Sequence, residues 1–592
     1  MYKIGVSKVE MTYFKEGVGM LGYGMHFHNL QGIETPQFAR AFVIESKGKK
    51  IAFVNADFCF STNYLKARVV ARLGLEYSTL GYSDANIMIT AQHTHSAAGG
   101  YTQHLAYNFT TPGFQEDVYL RYSDAIVKAI VEADKNLKPG SIRHHKGEFD
   151  KEAEICFNRS IKAYNQNPEV GVRVPVKKRH LAADRTMKLL RFDDHEGQPI
   201  GSFNWFGVHT TSVSNRYNKV CYDNKGYAAD LFEQYLQEKY DNKNIVTAFA
   251  QDAAGDISPN FIWERKHREY RGKHLDDYES AAYNGGLQSD KAKEIFDSAS
   301  KIGKTISGDL DAILMYVDMS DIGIEESYTG GLKHETTSDP TWGMSFLEGT
   351  TDGQGAAKIV GQAVRVFLGS IRQVEVMAAR MSKNTERQKK VIGYYNAHHP
   401  KAIVINHNTG VTAGAVHPEK LVVPGFVDPS IKLIKFANKV GYGKKTPWIP
   451  KILPLQILII GNLAIVGVPA EITTIAGARL RNTVAKVLEE RGVSEVLLSP
   501  YANSYAGYIT TYEEYRMQLY EGGHTLFGKW TLAAYQMKFK ELARELLKDP
   551  EDRKMVSLQP DMFEMKDIWT GMDDLGILAE LEADDTKVDE EE

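Results

Sequence analysis

The chemistry-bearing residues begin in one short stretch, Ile87 to Tyr101, which reads Ile-Met-Ile-Thr-Ala-Gln-His-Thr-His-Ser-Ala-Ala-Gly-Gly-Tyr. Its apolar start, Ile87 to Ile89, predicts a buried strand that empties into His93, Thr94, His95 and Ser96 before the Gly99-Gly100 pair. Side chains at i and i+2 of a strand share a side, so His93 and His95 are expected to face one cavity at the strand's end. Two imidazoles presented in this way suit a metal ion or a substrate; a hydrogen-bonded pair of loop histidines is the plainer alternative. A second apolar strand, Ile200 to His209, also ends in a histidine. Ligand sites in α/β sheets gather where strands end. Glu471 stands at the junction between another strand and a helix expected from Thr473 to Glu490, a place for the third ligand of a His, His, Glu site. An ordinary first-turn glutamate would occupy the same position.

Other stretches offer polar groups without fixing their use. Gln251 to Asn260, Gln-Asp-Ala-Ala-Gly-Asp-Ile-Ser-Pro-Asn, is a tight loop in which Pro259 fixes the backbone after Ser258. The serine lacks a G-x-S-x-G elbow, so it is either a nucleophile of another kind or a turn cap. Arg159, in Asn158-Arg-Ser160, stays charged and calls for carboxylates or substrate oxygens nearby, a plain surface arginine being the commoner case. Gly17 to Gly24 is too glycine-rich for regular structure and lets backbone approach something closely, but no Lys-Ser/Thr follows to make a phosphate loop. Six tyrosines, at 501, 505, 508, 512, 515 and 520, crowd one segment, several of them as packing aromatics.

The elements that must position these groups alternate strand and helix. Ala39 to Glu45 and Lys50 to Asp57 read as strands. A helix is expected from Ser61-Thr62-Asn63 to Leu73, stopped by Gly74, and another from Glu116 to Leu137, stopped by Pro139-Gly140. Asp223 to Asp230 leads into a helix ending near Tyr240. The reading is an α/β protein whose large domain, residues 1–550, has mixed β-sheets flanked by helices and its site at strand ends. Residues 261–330 read as a charged helical excursion, and 551–592 as a C-terminal extension whose acidic end, Glu580 to Glu592, is a disordered tail. Ile452 to Ala470 is almost wholly apolar, but Pro454, Gln456 and Gly461-Asn462 make it two buried strands joined by a hairpin and not a membrane span.

The 592 residues carry 71 Lys+Arg and 75 Asp+Glu, a net charge of −4. That balance argues against nucleic acid as a partner and gives no support for electrostatic attachment to anionic membranes. Three scattered cysteines, Cys59, Cys156 and Cys221, make neither a disulfide framework nor a Cys-rich zinc site. The amino terminus has no basic region followed by an apolar stretch, so the cytoplasm is the expected compartment, or the exterior or periplasm if the start is trimmed.

Taken in order, Gly19-Met-Leu-Gly-Tyr-Gly24, Thr94-His-Ser96, Phe157-Asn-Arg-Ser160, Asn204-Trp-Phe206 to His209, Asp223-Asn-Lys-Gly-Tyr-Ala228, Gly255-Asp-Ile-Ser-Pro-Asn260, Gly349-Thr-Thr-Asp-Gly353, Gly467-Val-Pro-Ala-Glu-Ile-Thr-Thr474 and Ala506-Gly-Tyr-Ile-Thr-Thr511 resemble the neutral/alkaline non-lysosomal ceramidase family. The resemblance runs from about Ile4 to about Tyr535 and implies a zinc-dependent amidase that splits ceramide into sphingosine and a fatty acid. It implies one Zn²⁺ per chain on His93, His209, Glu471 and Tyr508, with Ser258 as the family's essential serine and His95, Arg159 and Tyr520 lining the catalytic centre. In that picture zinc activates a water and polarises the carbonyl, Tyr520 and Arg159 stabilise the developing charge, and His95 protonates the leaving amine. Ceramide or a related N-acyl lipid is the implied partner, with transient membrane-surface contact and no transmembrane segment. Ala253 departs from the family, which usually has asparagine there, and members commonly carry a signal peptide and a C-terminal β-sandwich domain not read in this chain. A zinc amidase for another N-acyl compound and an inactive lipid-binding homologue are the rival readings.

Overall fold

The computed structural model describes residues 2–25, 27–111, 113–406, 411–412 and 446–570; the acidic stretch read as a disordered tail lies outside the described residues. Two mixed sheets form the centre. The first has nine strands: Tyr2–Glu10 (β1), Phe38–Ser46 (β2), Lys49–Ala56 (β3), Ile87–Ala91 (β4), Lys138–Glu148 (β5), Thr186–Asp194 (β6), Pro199–Trp205 (β7), Val246–Ala250 (β8) and Lys304–Ile306 (β9). They are ordered β8-β7-β6-β5-β1-β2-β3-β4, with β9 also pairing β5. The second sheet takes Leu310–Asp318 (β10), Ile452–Ile460 (β11), Leu463–Val468 (β12) and Glu495–Pro500 (β13) in that order. The expected hairpin at Gly461-Asn462 is the β11–β12 turn, and Gly461 takes a positive φ of 57° there.

The sheets pack face to face, and period-2 alternation decides which side chains meet between them. Phe42, Phe53, Phe203 and Trp205 of the first sheet meet Leu458, Ile460, Leu463, Ile465 and Leu497 of the second. The alternate residues face helices, which is why these strands read as nearly continuous apolar runs. Ala39, Ala41, Val43, Ala52 and Val54 lie against Asn63–Glu76 (α1) and Glu116–Lys135 (α2). Met187 and Leu189 lie against Asp223–Lys239 (α3) and Asp277–Ile302 (α4). On the outer face of the second sheet, Leu455, Ile457, Val466 and Leu498 pack with the later helices Thr474–Leu488 and Thr531–Glu545. A Cβ on Gly5 would sit 1.9 Å from the Ala133 carbonyl oxygen, so glycine is what lets α2 close onto β1.

Three boundaries differ from the sequence reading. Thr62 caps α1 as expected, accepting from the Leu65 amide at 3.0 Å, but the helix runs through Gly74 to Glu76 because neighbouring turns outweigh one glycine's cost of about 1 kcal/mol. Pro139-Gly140, read as a helix stop, already belongs to β5. The stretch 261–330 is not an excursion: α4 packs on α3, β9 pairs β5, and β10 is an edge of the second sheet. Its surface charges disguised elements whose inner faces are apolar, such as Ile295 and Phe296. Residues 551–570 run back over the body, where the Leu558 amide donates to the Tyr316 carbonyl at 3.0 Å and the Phe114 amide to the Trp569 carbonyl at 2.7 Å.

The first sheet is so curled that its edges meet. Asn55 of β3 donates to the Phe249 carbonyl of β8 at 3.2 Å, and Gln251 donates to the Gln92 carbonyl at 3.1 Å. The carboxyl ends of β4, β7 and β8 therefore converge, and β12 of the second sheet ends beside them.

Candidate metal centre

His93 follows β4, but the chain has left the strand by then: its amide donates to the Phe58 carbonyl at 3.1 Å and its φ is +77°. A turn, and not the pleat, brings His93 and His95 together. Their ring centroids lie 4.6 Å apart, and His95 lies 6.0 Å from His209. A left-handed φ on a residue other than glycine is strained backbone, held here by the surrounding hydrogen bonds. The close approach expected of the glycine-rich loop falls on His95, since a Cβ on Gly22, at φ +134°, would be 1.6 Å from the His95 ring.

His209 follows β7, and Glu471 sits in the two-residue strand Glu471–Ile472 that succeeds β12. Ligand atoms of His93, His209 and Glu471 lie within 4.8 Å of one another, and all three residues are buried. His93 Nδ1 contacts the Cys59 carbonyl at 2.7 Å, and His209 Nδ1 contacts the Ala254 carbonyl at 2.8 Å. A carbonyl only accepts, so both Nδ1 atoms carry hydrogen, and a neutral ring so held presents its Nε2 lone pair. Those lone pairs face Glu471, at 3.5 Å from Oε1 for His93 and 3.1 Å from Oε2 for His209. The His93 Nε2 has no hydrogen-bond partner. Burial, with Arg159 adding, lowers the His209 pKa and keeps that ring neutral. Two ring nitrogens converging on one carboxylate fit a cation, and the carbonyls behind the rings are the usual outer support of a metal-bound histidine. Tyr505 and Tyr501 steady the carboxylate from behind, donating to Oε1 at 2.5 Å and Oε2 at 3.3 Å.

A second wall carries the remaining sequence candidates. Tyr508 lies opposite Glu471 in a parallel pairing, and its hydroxyl accepts from Arg159 Nη2 at 3.0 Å. Arg159 also donates to Glu521 at 2.9 Å and the Gly255 carbonyl at 2.8 Å, and its guanidinium lies 5.5 Å from the centre of the Tyr520 ring. Ser258 is paired with Phe157 two residues before Arg159, and its hydroxyl donates to Asp352 Oδ1 at 2.7 Å. His95 is held neutral by burial and by the neighbouring imidazoles of His93 and His209, and its Nδ1 has no hydrogen-bond partner. All eight candidates thus share one buried region. Ala253 instead turns toward the helix at Gly477, where an added Cβ would meet it at 2.6 Å.

Four contributors were not singled out from sequence. Asp352 holds Ser258 and approaches Arg159 at 3.5 Å, and Glu521 holds Arg159 and the Ser160 hydroxyl. Tyr501 and Tyr505 pass as packing aromatics in the sequence, yet both hydroxyls reach Glu471. The Gly349-Thr-Thr-Asp-Gly353 motif contained the only available signal for Asp352. Cys59 also lies near His93 and His95, and burial raises its thiol pKa well above the ordinary value.

A family model described as neutral/alkaline non-lysosomal ceramidase, N-terminal, matches residues 2–424 and 432–537. The neutral ceramidase of Pseudomonas aeruginosa is 33% identical over 546 residues, spanning 92% of this chain and 72% of that protein. Neutral ceramidase A of Dictyostelium discoideum is 31% identical over 575 residues, with 92% and 73% covered. The crystal structure of the Pseudomonas aeruginosa enzyme superposes with a TM-score of 0.74 at 30% identity over 95% of this chain and 76% of that one. A match over nearly the whole chain, in sequence and in fold, places this protein in the neutral/alkaline non-lysosomal ceramidase family.

Proposed function

We propose that the chain is a zinc-dependent amidohydrolase that adds water across the N-acyl amide of ceramide, releasing a fatty acid and sphingosine. Family membership supports the substrate class, since the relatives are named neutral ceramidases. The observation that carries the metal is the convergence of two Nε2 lone pairs on the Glu471 carboxylate. Two imidazoles and a carboxylate make a zinc donor set, and Tyr508, across the strand pair from Glu471, is the fourth ligand in this reading. Zinc bound there would supply Lewis acidity for the amide carbonyl and lower the pKa of a water.

The protein groups have distinct tasks. Arg159, always charged, and Tyr520 stabilise negative charge developing on the carbonyl oxygen. His95, neutral because it is buried, takes up the proton lost by the attacking water and passes it to the leaving amine. Ser258 orients the substrate: its proton is committed to Asp352, and no imidazole is among its hydrogen-bond partners, which favours positioning over nucleophilic attack.

The test is elemental analysis of the purified protein with hydrolysis of a fluorescent short-chain ceramide before and after chelation. About one zinc per chain and chelator-sensitive cleavage restored by Zn²⁺ are expected. A well-folded, active protein without metal would sink the zinc assignment, and zinc without cleavage would sink ceramide as substrate. Ser258→Ala should keep substantial turnover where His93→Ala keeps none; the reverse would make the serine the nucleophile.

A further inference from the structure

The segment that follows Asp352 contains a helix whose faces are exchanged. Lys358–Met381 (α5) is about 36 Å long at 1.5 Å per residue and is followed by Thr385–His398 (α6). At 100° per residue, Ile359, Val366, Phe367, Val374, Met377 and Met381 fall on one stripe, and each is at least 60% exposed. The inward face carries the charge. Arg365 grips Glu348 through two hydrogen bonds of 2.5 and 2.6 Å, Arg372 donates to His399 Nδ1 at 2.9 Å, and Glu375 accepts from the Tyr395 hydroxyl. A helix of a water-soluble surface turns its apolar stripe inward; α5 turns it out.

The surroundings of the stripe are strongly basic. From Lys358 to His398 the sequence has eight Lys or Arg and two Glu, a local charge of +6 in a chain whose net charge is −4. Lys358 stands at one end of the stripe, and Arg380, Lys383, Arg387, Lys389 and Lys390 gather at the other, all exposed. An apolar stripe with cations at its ends matches the interface of an anionic bilayer, where the stripe enters the acyl boundary and the cations meet headgroups. A second copy of the chain would have to set this +6 against itself. The Arg365–Glu348 pair also ties α5 to the turn carrying Asp352, the partner of Ser258. We propose that α5 is a membrane-docking helix that lays its apolar stripe into an anionic lipid surface. The docking rests on this geometry alone; its use, bringing the centre to an N-acyl lipid dissolved in the membrane, rests on the function proposed above.

The test uses the full chain and ceramide-free vesicles of phosphatidylcholine, alone or with about a third phosphatidylserine. Co-sedimentation should favour the anionic vesicles by about tenfold and fall as salt rises. Phe367→Glu/Val374→Glu should lose at least about fivefold of that binding while leaving turnover of a soluble short-chain ceramide unchanged. Lys383→Glu/Lys389→Glu/Lys390→Glu should erase the preference for anionic vesicles. Absence of binding to anionic vesicles, or wild-type binding by the first variant, overturns the proposal. So does a dimer that the first variant dissociates without any vesicle binding, since the stripe would then be a contact between copies. Because the vesicles hold no substrate, binding without any amidase activity would leave docking intact and remove only the function assigned to it.

Discussion

The cluster around Glu471 and the outer face of α5 break the ordinary rule of burial in opposite directions. One hides a carboxylate and three imidazoles under the sheet ends; the other leaves valines, a phenylalanine and methionines in the open. Satisfaction of hydrogen bonds separates the two. Around Glu471 the carboxylate and the outer ring nitrogens of His93 and His209 are held by hydrogen bonds, while the His93 Nε2 and the His95 Nδ1 have no hydrogen-bond partner, a donor set that suits a cation. On α5 Arg365, Arg372 and Glu375 are paired on the inward side, and the outer face is left to apolar side chains. Each region departs from ordinary burial in its own way, and the proposals for the two differ accordingly: a cation for the one, a lipid surface for the other.

Breaking the buried half should have the largest effect. His209→Ala is expected to lower turnover of a short-chain ceramide by at least about 1000-fold, some 4 kcal/mol of transition-state stabilisation, with loss of bound metal by elemental analysis. Metal retained at one per chain in that variant would remove His209 from the ligand set. Asp352→Asn keeps the shape but weakens the hold on Ser258 and Arg159; a roughly 10- to 100-fold fall in kcat with metal content unchanged is expected. Metal loss in this variant would instead place Asp352 in the support of the metal.

Lys225 sharpens the contrast, because it is a buried ionisable amine whose hydrogen-bond partners, the Phe206 carbonyl and Gln288 Oε1, are neutral. Burial lowers its pKa to about 7, and its amine donates to the Phe206 carbonyl at 2.7 Å. Below pH 7 both folded and unfolded chains hold the proton, so folding bears the full cost of burying it. Between about 7 and its ordinary value of 10.5 the folded chain sheds the proton first, and stability rises with pH by up to about 1.4 kcal/mol per unit. The melting temperature of the wild type relative to Lys225→Met should therefore climb from pH 7 to pH 9; a flat difference would show that Lys225 keeps an ordinary pKa. The smallest effect belongs to the exposed half: Phe367→Glu should change unfolding free energy by less than about 0.5 kcal/mol, since the ring has little protein contact to lose. A loss of several kcal/mol would mean that the stripe is packed in solution.

The strands and helices were largely legible because apolar periodicity is a local property: β11 and β12, with Gly461-Asn462 between them, are written in consecutive residues. His93, His95, His209 and Glu471 announced themselves at strand ends and Arg159 and Ser258 as polar groups of open use, while the family resemblance picked Tyr508 and Tyr520 out of the six tyrosines. Spacing misled at His93, where the pleat argument assumed a strand that has already turned. Net charge said nothing of α5, because a total of −4 conceals a local +6.

The sequence by itself determined which side chains exist for chemistry and which stretches bury an apolar face, because residue type and period act over a few residues. Only the tertiary structure decided that Tyr501 and Tyr505 serve Glu471 and not the core alone, that Asp352 reaches Ser258 across 94 positions, and that α5 shows its apolar side to the outside. Those outcomes depend on the curl of one sheet and the packing of another against it. Distance in space between residues far apart in the chain is set by the whole core, and no window of the sequence contains it.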